Sequence, residues 1–485
     1  MANERGSWGS NIGFLLAAIG SAVGLGNIWG FPYKMGRSGG FTFLIAYLFL
    51  AVFVGFVVMV SELAMGRKVG KGVIGCYHTL SKKFKWVGWL AVFSPFIIMS
   101  FYSVLGGYCI EYMALNMSNL AFAGAEIKTG ADLFTAMLTN PFGCVVFTLL
   151  FLVICYLINR GGISGGIEKF NKIGMPALFV MLVIIIIRAV TLPGAVEGLK
   201  FMFVPGYAVS AGFIEKAPNF ITVLATAGGQ MFFSLSLAMG VMFTYGSYLS
   251  KQENLVKNSI VIVFSDTLVA LMAGLAVIPA AVAIGIQQGM NVADIKLSGP
   301  NLLFVTLQDV FNAMGTAGPL FGVIFYLLVL IAAISSAISL VEVVATFFLD
   351  RAAEKGKEGN RHKIVLIVCL AITVEAVLVA VDGLGSNGLW VPGQATFGIH
   401  GWNDNWLDFM DMMSEGIAMP LGALLMSLMV GYEIKSKTVL DEVRNGCSAK
   451  IDFFYNLCIK LITPIGMILV LLGQLNDFGF ISIFN

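Results

Sequence analysis

Long apolar stretches alternate with short polar connections along almost the whole chain. A membrane-spanning helix needs ~20 mainly apolar residues, and eleven stretches come close to or exceed that length. They cover residues 12–32, 41–65, 87–117, 143–158, 173–191, 219–249, 258–283, 318–349, 364–381, 413–432 and 453–475. The pattern predicts an all-α polytopic membrane protein with eleven transmembrane helices, numbered here span one to span eleven. Residues 302–314 have helical spacing but are too short to span, which predicts a re-entrant or surface helix.

The composition agrees with a single membrane domain over residues 1–485. Hydrophobic residues make up 58% of the chain and charged residues 12%, with a mean hydropathy of +0.90, whereas soluble domains carry about 25% charged residues. The net charge of +2 and the lack of a long basic run argue against a nucleic-acid partner. Neither the seven cysteines nor the three histidines have metal-site spacing, and no catalytic constellation stands out, so we expect no enzyme.

Charged residues are distributed unevenly between the connections. Residues 67–86 hold six lysines or arginines and no acid, whereas residues 382–411 hold four aspartates and no lysine or arginine. Because basic residues concentrate on the cytoplasmic side of membranes, the first connection is predicted inside and the second outside. The N-terminus is therefore expected in the cytoplasm and, with an odd number of spans, the C-terminus outside.

Spans one and six hold small and polar residues at the depth where a membrane helix is usually most apolar. Span one contains Ala18-Ile-Gly-Ser-Ala-Val-Gly-Leu-Gly-Asn27, and span six contains Ala227-Gly-Gly-Gln-Met-Phe-Phe-Ser-Leu-Ser-Leu-Ala-Met-Gly240. Glycine-rich segments leave helical geometry at low cost, and the freed backbone groups need partners that lipid does not offer. The alternative is that the glycines only allow close helix packing.

Unwound helices 1 and 6 would be the first helices of two five-helix halves of the chain. The first half covers about residues 12–191 and the second about 219–432, with an extra helix at about 453–475. Such paired interruptions are typical of a transporter built from two inverted repeats.

Several motifs, spread in order over nearly the whole chain, carry a family resemblance. They are Gly20-Ser-Ala-Val-Gly-Leu-Gly-Asn-Ile-Trp29 followed by Phe31-Pro-Tyr33, Glu62-Leu-Ala-Met-Gly-Arg67, Arg160-Gly-Gly-Ile-Ser-Gly-Gly-Ile-Glu168, Phe232-Phe-Ser-Leu-Ser-Leu237, Ile278-Pro-Ala-Ala281 and Ser335-Ser336. The chain resembles bacterial members of the neurotransmitter:sodium symporter family, although it lacks the twelfth span of some members. The resemblance implies a sodium-coupled secondary active symporter that works by alternating access in the inner membrane of a prokaryote.

The resemblance also implies two sodium sites, both made of oxygen ligands. A hard cation needs several oxygens, and the family positions offer carbonyls, hydroxyls and one carboxylate but no sulfur or imidazole. The first site is expected to use the substrate's carboxylate together with Ala22, Asn27, Ser234 and Asp266. The second is expected to use Gly20, Val23, Ala332, Ser335 and Ser336. For the two adjacent serines, hydroxyls that bond back to the preceding helical turn are the alternative.

By family position, the substrate pocket lies between spans one, three, six and eight. Leu25 and Gly26 would present positive helix ends to a substrate carboxylate, which Tyr102 would hydrogen-bond. Phe233 would cover the bound molecule from outside. The other expected substrate-binding positions are Ser21, Ala22, Ile98, Ser234, Ser236, Met239, Ser336 and Leu340. An ordinary tyrosine within a span is the alternative for Tyr102.

Two features near the inner face match family positions. Arg5 and Trp8 resemble a cytoplasmic latch in which the arginine pairs with Asp350, assisted by Tyr248. Glu62 is expected to support the unwound part of span six. A surface charge near the inner face is the alternative for Arg5.

The outer gate departs from the family pattern. Family members carry an arginine where this chain has Gly30, and that arginine pairs with the acid corresponding to Asp411. Lys34 lies four residues from Gly30 and hence on the same helical face. We therefore expect Lys34 or a water chain to complete the gate with Asp411. An interfacial lysine that meets lipid headgroups is the alternative.

The position of Gly24 indicates the substrate class. Monoamine transporters of the family carry an acid there, which pairs with an amine that has no carboxylate of its own. Glycine instead leaves room for a substrate carboxylate beside the sodium ion. Together with Ile98, Met239 and Leu340, this predicts a hydrophobic or aromatic α-amino acid.

Chloride is not expected to be required. Chloride-dependent relatives bind the anion through residues matching Tyr47, Gln230 and Ser234, plus an asparagine and a serine in span seven. This chain has Asp266 for that asparagine and Ala270 for that serine. The change removes a hydroxyl donor and adds a negative charge, so the carboxylate can replace the anion.

Two other functions remain open at the level of sequence. A proton-coupled amino-acid transporter of the same architecture would use Asp266 as the proton carrier. A transport-dead amino-acid sensor would bind without moving its ligand. The expected partners are an amino acid, sodium ions and membrane lipid, and the oligomeric state stays open.

Overall fold

The structure of the protein is a computed structural model that describes residues 7–121, 129–295, 297, 302–356, 359–392, 405–447, 450–477 and 480–483. All regular secondary structure within these ranges is helical. The predicted all-α class is therefore confirmed for the part of the chain that the structure describes.

Nine helices in the described ranges are long and apolar enough to cross a membrane. They are Phe41–Val69, Val87–Ala121, Pro141–Asn159, Ile163–Val190, Leu255–Gln287, Gly315–Glu354, Arg361–Asp382, Trp406–Glu433 and Asp452–Asn476. These helices coincide with predicted spans two to five and seven to eleven. The chain is thus a polytopic membrane protein.

The first and sixth predicted spans are each divided into two helices. Span one consists of Asn11–Ala22 and Gly26–Arg37, which are bent by 45° and together would make a tenth apolar span. Span six consists of Phe220–Ser234 and Val241–Gly246. The break in span one is centred on Gly24, where leaving the helix costs least. Span six breaks after Ser234, beyond the helical pair Gly228 and Gly229.

The spans differ in how much of their surface lies inside the protein. The apolar windows of Val87–Ala121, Leu255–Gln287 and Gly315–Glu354 are 83%, 78% and 78% buried, whereas those of Pro141–Asn159 and Ile163–Val190 are only 28% and 33% buried. Spans three, seven and eight therefore form the interior, and spans four and five present large apolar faces outward. Such faces are stable only against lipid or another apolar surface.

Shorter helices connect the spans. They are Val73–Leu80, Gly130–Leu138, Ala195–Phe203, Tyr207–Ser210, Val292–Asp294, Leu302–Thr306, Leu307–Ala313, Gly315–Ala317 and Lys437–Arg444. The helix predicted at 302–314 is present as two consecutive helical segments, the first with a wider turn. The broken span one packs against spans five, seven and eight, and span six packs against spans two and eleven, so the two interruptions meet in the interior.

Candidate functional site

The interruption of span six has an unusual backbone that a buried carboxylate stabilises. Ser236 and Ala238 have positive φ angles of 52° and 60°, a conformation that non-glycine residues adopt only at an energetic cost. The amide of Ala238 donates a hydrogen bond to Glu62 Oε1 at 2.7 Å, and Glu62 is fully buried. Glu62 therefore supports the unwound segment, in agreement with the sequence-based expectation.

Asn27, Ser234 and Asp266 form a buried polar cluster beside the interruption of span one. Asn27 Nδ2 donates to Asp266 Oδ1 at 2.7 Å and to Ser234 Oγ at 2.9 Å, and Asn27 Oδ1 accepts the amide of Gly24 at 2.9 Å. Ser234 Oγ lies 3.0 Å from both carboxylate oxygens of Asp266. Ala22, the last residue of the first helix, is also buried. Three of the four residues predicted for the first sodium site, Asn27, Ser234 and Asp266, thus converge from spans one, six and seven.

A second cluster joins span eight to the first half of span one. Ser335 Oγ lies 2.8 Å from the carbonyl oxygen of Ala332 and 3.4 Å from that of Val23. Ser336 Oγ lies 3.4 Å from the carbonyl oxygen of Gly20. All five residues predicted for the second sodium site therefore lie together. Both clusters are rich in oxygen, and the described residues contain no group of three or more His, Cys, Asp or Glu side chains placed to hold a metal ion.

A small cavity lies at the interruptions of spans one and six. The lining residues are Ser21, Ala22, Gly24, Gly26, Ile98, Tyr102, Phe233, Ser236, Met239, Ser336 and Leu340. Ten of the twelve positions predicted to bind substrate are among them. Of the other two, the amide of Leu25 donates to the Tyr102 hydroxyl at 3.0 Å, and Ser234 belongs to the Asp266 cluster.

Serine hydroxyls form a connected chain beside this cavity. Ser21 Oγ lies 2.6 Å from Ser339 Oγ, and Ser236 Oγ donates to the carbonyl of Ser21 at 2.8 Å. Sequence reasoning missed Ser339, although it follows Ser336 by three residues and so shares one helical face with it. The cavity therefore combines apolar walls with several polar groups.

The lysine of the predicted outer gate pairs with a different acid than expected. Lys34 Nζ forms an ion pair with Glu415, and the two side chains are only 12% and 9% exposed. Glu415 lies one helical turn beyond Asp411, in the wide helical segment Met412–Ala418. Asp411 lies next to this pair and interacts with Glu415. The predicted partnership of Lys34 with Asp411 is thus corrected: the ion pair of Lys34 is with Glu415, and Asp411 lies beside it, close enough to interact with both charges.

The side chain of Gln230 lies directly beside Gly30. Its Nε2 atom donates to the carbonyl of Gly26 at 2.7 Å, while its buried Oε1 atom has no hydrogen-bond partner among the described residues. A Cβ atom on Gly30 would lie only 2.8 Å from that Oε1 atom. In this chain, Gln230 therefore takes the space that a side chain at position 30 would need.

The N-terminal part of span one is attached to the protein near the predicted inner gate. Trp8 Nε1 donates to the carbonyl of Tyr245 at 3.1 Å, and the amide of Gly9 donates to Glu168 Oε2 at 2.8 Å. Arg5, the cation of the predicted latch, lies outside the described residues. The role of Trp8 in the latch stays a prediction, and Glu168 is an additional anchor that sequence reasoning did not single out.

The other predicted latch residues contact partners that the sequence did not indicate. The Tyr248 hydroxyl donates to Glu342 Oε1 at 3.3 Å, and Glu342 is fully buried and ion-paired with Arg361. Asp350 Oδ2 accepts the amide of Gly72 at 2.7 Å. Glu342 is thus a buried carboxylate on span eight, two helical turns before the partly exposed Asp350.

Comparisons with known proteins find relatives along nearly the whole chain. The family model described as the sodium:neurotransmitter symporter family matches residues 5–131 and 135–482. The chain is 33% identical over 477 residues to an uncharacterized sodium-dependent transporter, YhdH, of Bacillus subtilis, which covers 98% of each chain. It is 31% identical over 492 residues to an uncharacterized sodium-dependent transporter of Haemophilus influenzae, covering 97% of this chain and 98% of the relative.

A solved structure is similar along nearly the whole chain. It is the crystal structure of MhsT in complex with L-phenylalanine, with a TM-score of 0.83 and 32% identity, covering 97% of this chain and 100% of MhsT. The match to the family model extends over most of the sequence and includes both interrupted spans. The chain therefore belongs to the sodium:neurotransmitter symporter family, whose members are membrane transporters and not enzymes.

Proposed function

We propose that this protein is a sodium-coupled symporter of a hydrophobic or aromatic α-amino acid that works by alternating access without chloride. The observation that carries the proposal is the cavity at the two interruptions, because it adjoins both oxygen-rich clusters. MhsT, which is similar over its whole length, was solved with L-phenylalanine. The apolar side chains of Ile98, Met239 and Leu340 line the same cavity and suit such a side chain.

Sodium would bind as a cargo ion at two sites, with no other cofactor. At the first, Asn27, Ser234 and Asp266 would supply oxygens together with the carboxylate of the amino acid, so that ion and substrate stabilise each other. At the second, the hydroxyls of Ser335 and Ser336 would join backbone oxygens of span one. A cation at this second site would link spans one and eight. Its binding would therefore favour conformations in which these two spans stay together, and so would influence the opening of the inner side.

The topology belongs to the same proposal. Counting the divided first and sixth spans as one crossing each makes eleven transmembrane helices, with inverted repeats at about residues 12–191 and 219–432 and an extra helix at about 453–475. The uneven distribution of lysine and arginine supports a cytoplasmic N-terminus and an external C-terminus in the inner membrane of a prokaryote. The proposed partners are an amino acid, sodium and membrane lipid.

Uptake of a hydrophobic amino acid into proteoliposomes is expected to depend on an inward sodium gradient. Replacing sodium with choline at constant pH should reduce uptake at least about tenfold, because two hard-cation sites would then be empty. The substrate can be found first by thermal unfolding of the purified protein with each amino acid, with and without sodium. Equal uptake in sodium and choline would contradict the proposal and favour proton coupling. Sodium-dependent binding without uptake would favour a sensor.

We further propose that Lys34 and Glu415 form the outer gate over the cavity. Phe233 and Tyr102 lie against each other on the cavity wall, with ring centroids 6.3 Å apart, and the ion pair joins spans one and ten. A flexible lysine ammonium holds a carboxylate through a point charge and lacks the two-pronged geometry of arginine. The gate is therefore expected to close less firmly than an arginine gate.

Lys34→Ala is expected to speed the release of bound amino acid at least about fivefold, because the variant leaves the buried carboxylate of Glu415 without its cation. The measurement is the dissociation rate of a radiolabelled amino acid from purified protein in sodium. Lys216→Ala removes an exposed lysine and serves as the control. If Asp411→Asn accelerates release and Glu415→Gln does not, Asp411 is the gate acid after all.

A further inference from the structure

An apolar groove lies on the side of the protein where spans five, seven and eight meet the short helix Leu307–Ala313. It is shallow and open to the outside of the protein, and it shares no lining residue with the cavity at the interruptions of spans one and six. Alanines of spans five and seven and phenylalanines of span eight and the short helix line it, among them Ala189, Ala280, Phe311 and Phe321. The groove thus offers a narrow apolar surface outside the transport pathway.

One cation lines this groove. Arg188 lies in the last turn of the helix Lys169–Val190 and is half-buried, and its guanidinium has no hydrogen bond or ion pair within the described residues. Span five is one of the most outward-facing spans, with only 33% of its apolar window buried. An unpaired cation beside hydrocarbon is unfavourable unless water or an anion from outside the protein compensates it.

We propose that this groove binds an anionic phospholipid of the surrounding bilayer, with the phosphate on Arg188 and part of an acyl chain along the alanines and phenylalanines. A phospholipid carries both required features in one molecule, a phosphate and a long apolar chain. Arginine suits the phosphate because its planar guanidinium donates two parallel hydrogen bonds to two oxygens. A headgroup with net negative charge is favoured over a zwitterionic one, because Arg188 is the only charged residue lining the groove.

The test compares two soluble short-chain lipids, dioctanoyl phosphatidylglycerol and dioctanoyl phosphatidylcholine, on the detergent-purified full chain. Native mass spectrometry measures the dissociation constant of each lipid, and inorganic phosphate is titrated in parallel. The wild type should bind the anionic lipid more tightly than the zwitterionic one. Arg188→Gln should weaken binding of the anionic lipid at least about tenfold, since it removes a charge-assisted hydrogen bond. The affinity of Arg188→Lys for the anionic lipid should lie between that of the wild type and that of Arg188→Gln.

Arg351→Gln provides the matched control, because Arg351 is an exposed arginine in the last turn of span eight and does not line the groove. It should leave the affinity for both lipids unchanged. The proposal is wrong if Arg188→Gln has no effect, if Arg351→Gln has the same effect, or if both lipids bind equally in every variant. It is also wrong if the dissociation constant of inorganic phosphate equals that of the anionic lipid, because the groove would then contribute nothing to the affinity.

Discussion

Sodium-driven uptake by the wild-type protein is expected to stay unchanged when chloride is replaced by gluconate. The carboxylate of Asp266 accepts a hydrogen bond from the Tyr47 hydroxyl at 3.1 Å, and Ser234 Oγ lies 3.0 Å from each of its oxygens. By the family resemblance, these hydroxyls match two of the positions expected to bind chloride in chloride-dependent relatives. A chloride ion about 5 Å from an ionised Asp266 would be repelled by ~3 kcal/mol at an effective dielectric near 20, which lowers its occupancy roughly a hundredfold.

The double change Asp266→Asn with Ala270→Ser is expected to make uptake chloride-dependent. It removes the fixed negative charge and restores the hydroxyl one helical turn away, at a position that is fully buried. In gluconate, the variant should lose at least about 90% of its uptake, because the buried sodium ion then lacks the negative charge that Asp266 supplies beside the substrate carboxylate. The measurement is initial uptake in chloride and in gluconate at fixed sodium and pH.

Ala270→Ser alone is the control for the double change, since it adds the hydroxyl and keeps the carboxylate. The initial uptake of amino acid by Ala270→Ser should be equal in chloride and in gluconate. Loss of wild-type uptake in gluconate would contradict the role assigned to Asp266. A double variant that is active in both anions would also contradict it, provided that the variant is folded and binds sodium.

Gly24→Asp is expected to abolish amino-acid binding. A Cβ atom on Gly24 would lie 2.3 Å from Ser336 Oγ and 2.5 Å from the Tyr102 hydroxyl, far inside van der Waals contact. Both contacted residues line the cavity, so any side chain at this position must displace groups proposed to hold the substrate carboxylate. A carboxylate at this place adds repulsion to the steric conflict. We expect an affinity loss of at least about a hundredfold, measured by calorimetry in saturating sodium.

Gly165→Ala is a matched control for this effect, because a Cβ atom on Gly165 meets no atom within 4 Å. Its affinity should equal that of the wild type, and size-exclusion profiles show whether each variant is folded. Unchanged affinity in folded Gly24→Asp would contradict the position assigned to the substrate carboxylate. Tight binding of a monoamine by that variant would instead indicate that the acid alone sets the substrate class.

Much of the candidate site could be predicted because the residues that carry its chemistry lie in short motifs. The segment from Gly20 to Asn27 and the pair Ser335 and Ser336 identify oxygen donors and a helix interruption within a few residues of sequence. The structure brings these segments within hydrogen-bond distance, for example Ser335 Oγ to the carbonyl of Val23 at 3.4 Å. The functional roles of these residues depend on the proposed transport activity and stay predictions.

The pairing of the gate residues could not be predicted in the same way. Asp411 and Glu415 are four residues apart and share one face of span ten, so both are compatible with the sequence pattern. Which of the two acids forms the ion pair with Lys34 depends on how spans one and ten are placed by the other helices. The same holds for Tyr248, whose hydroxyl contacts Glu342, a residue 94 positions away.

The sequence by itself determined the membrane class, the approximate positions of the spans and the two places where helices break. These follow from local physics, because lipid requires long apolar helices and glycine-rich segments leave the helix at low cost. Only the tertiary structure decided which acid meets Lys34, which carboxylate meets Tyr248, and that Gln230 takes the space beside Gly30. Contacts between distant residues depend on differences of a few ångströms in helix packing, and periodicity along the chain does not specify them.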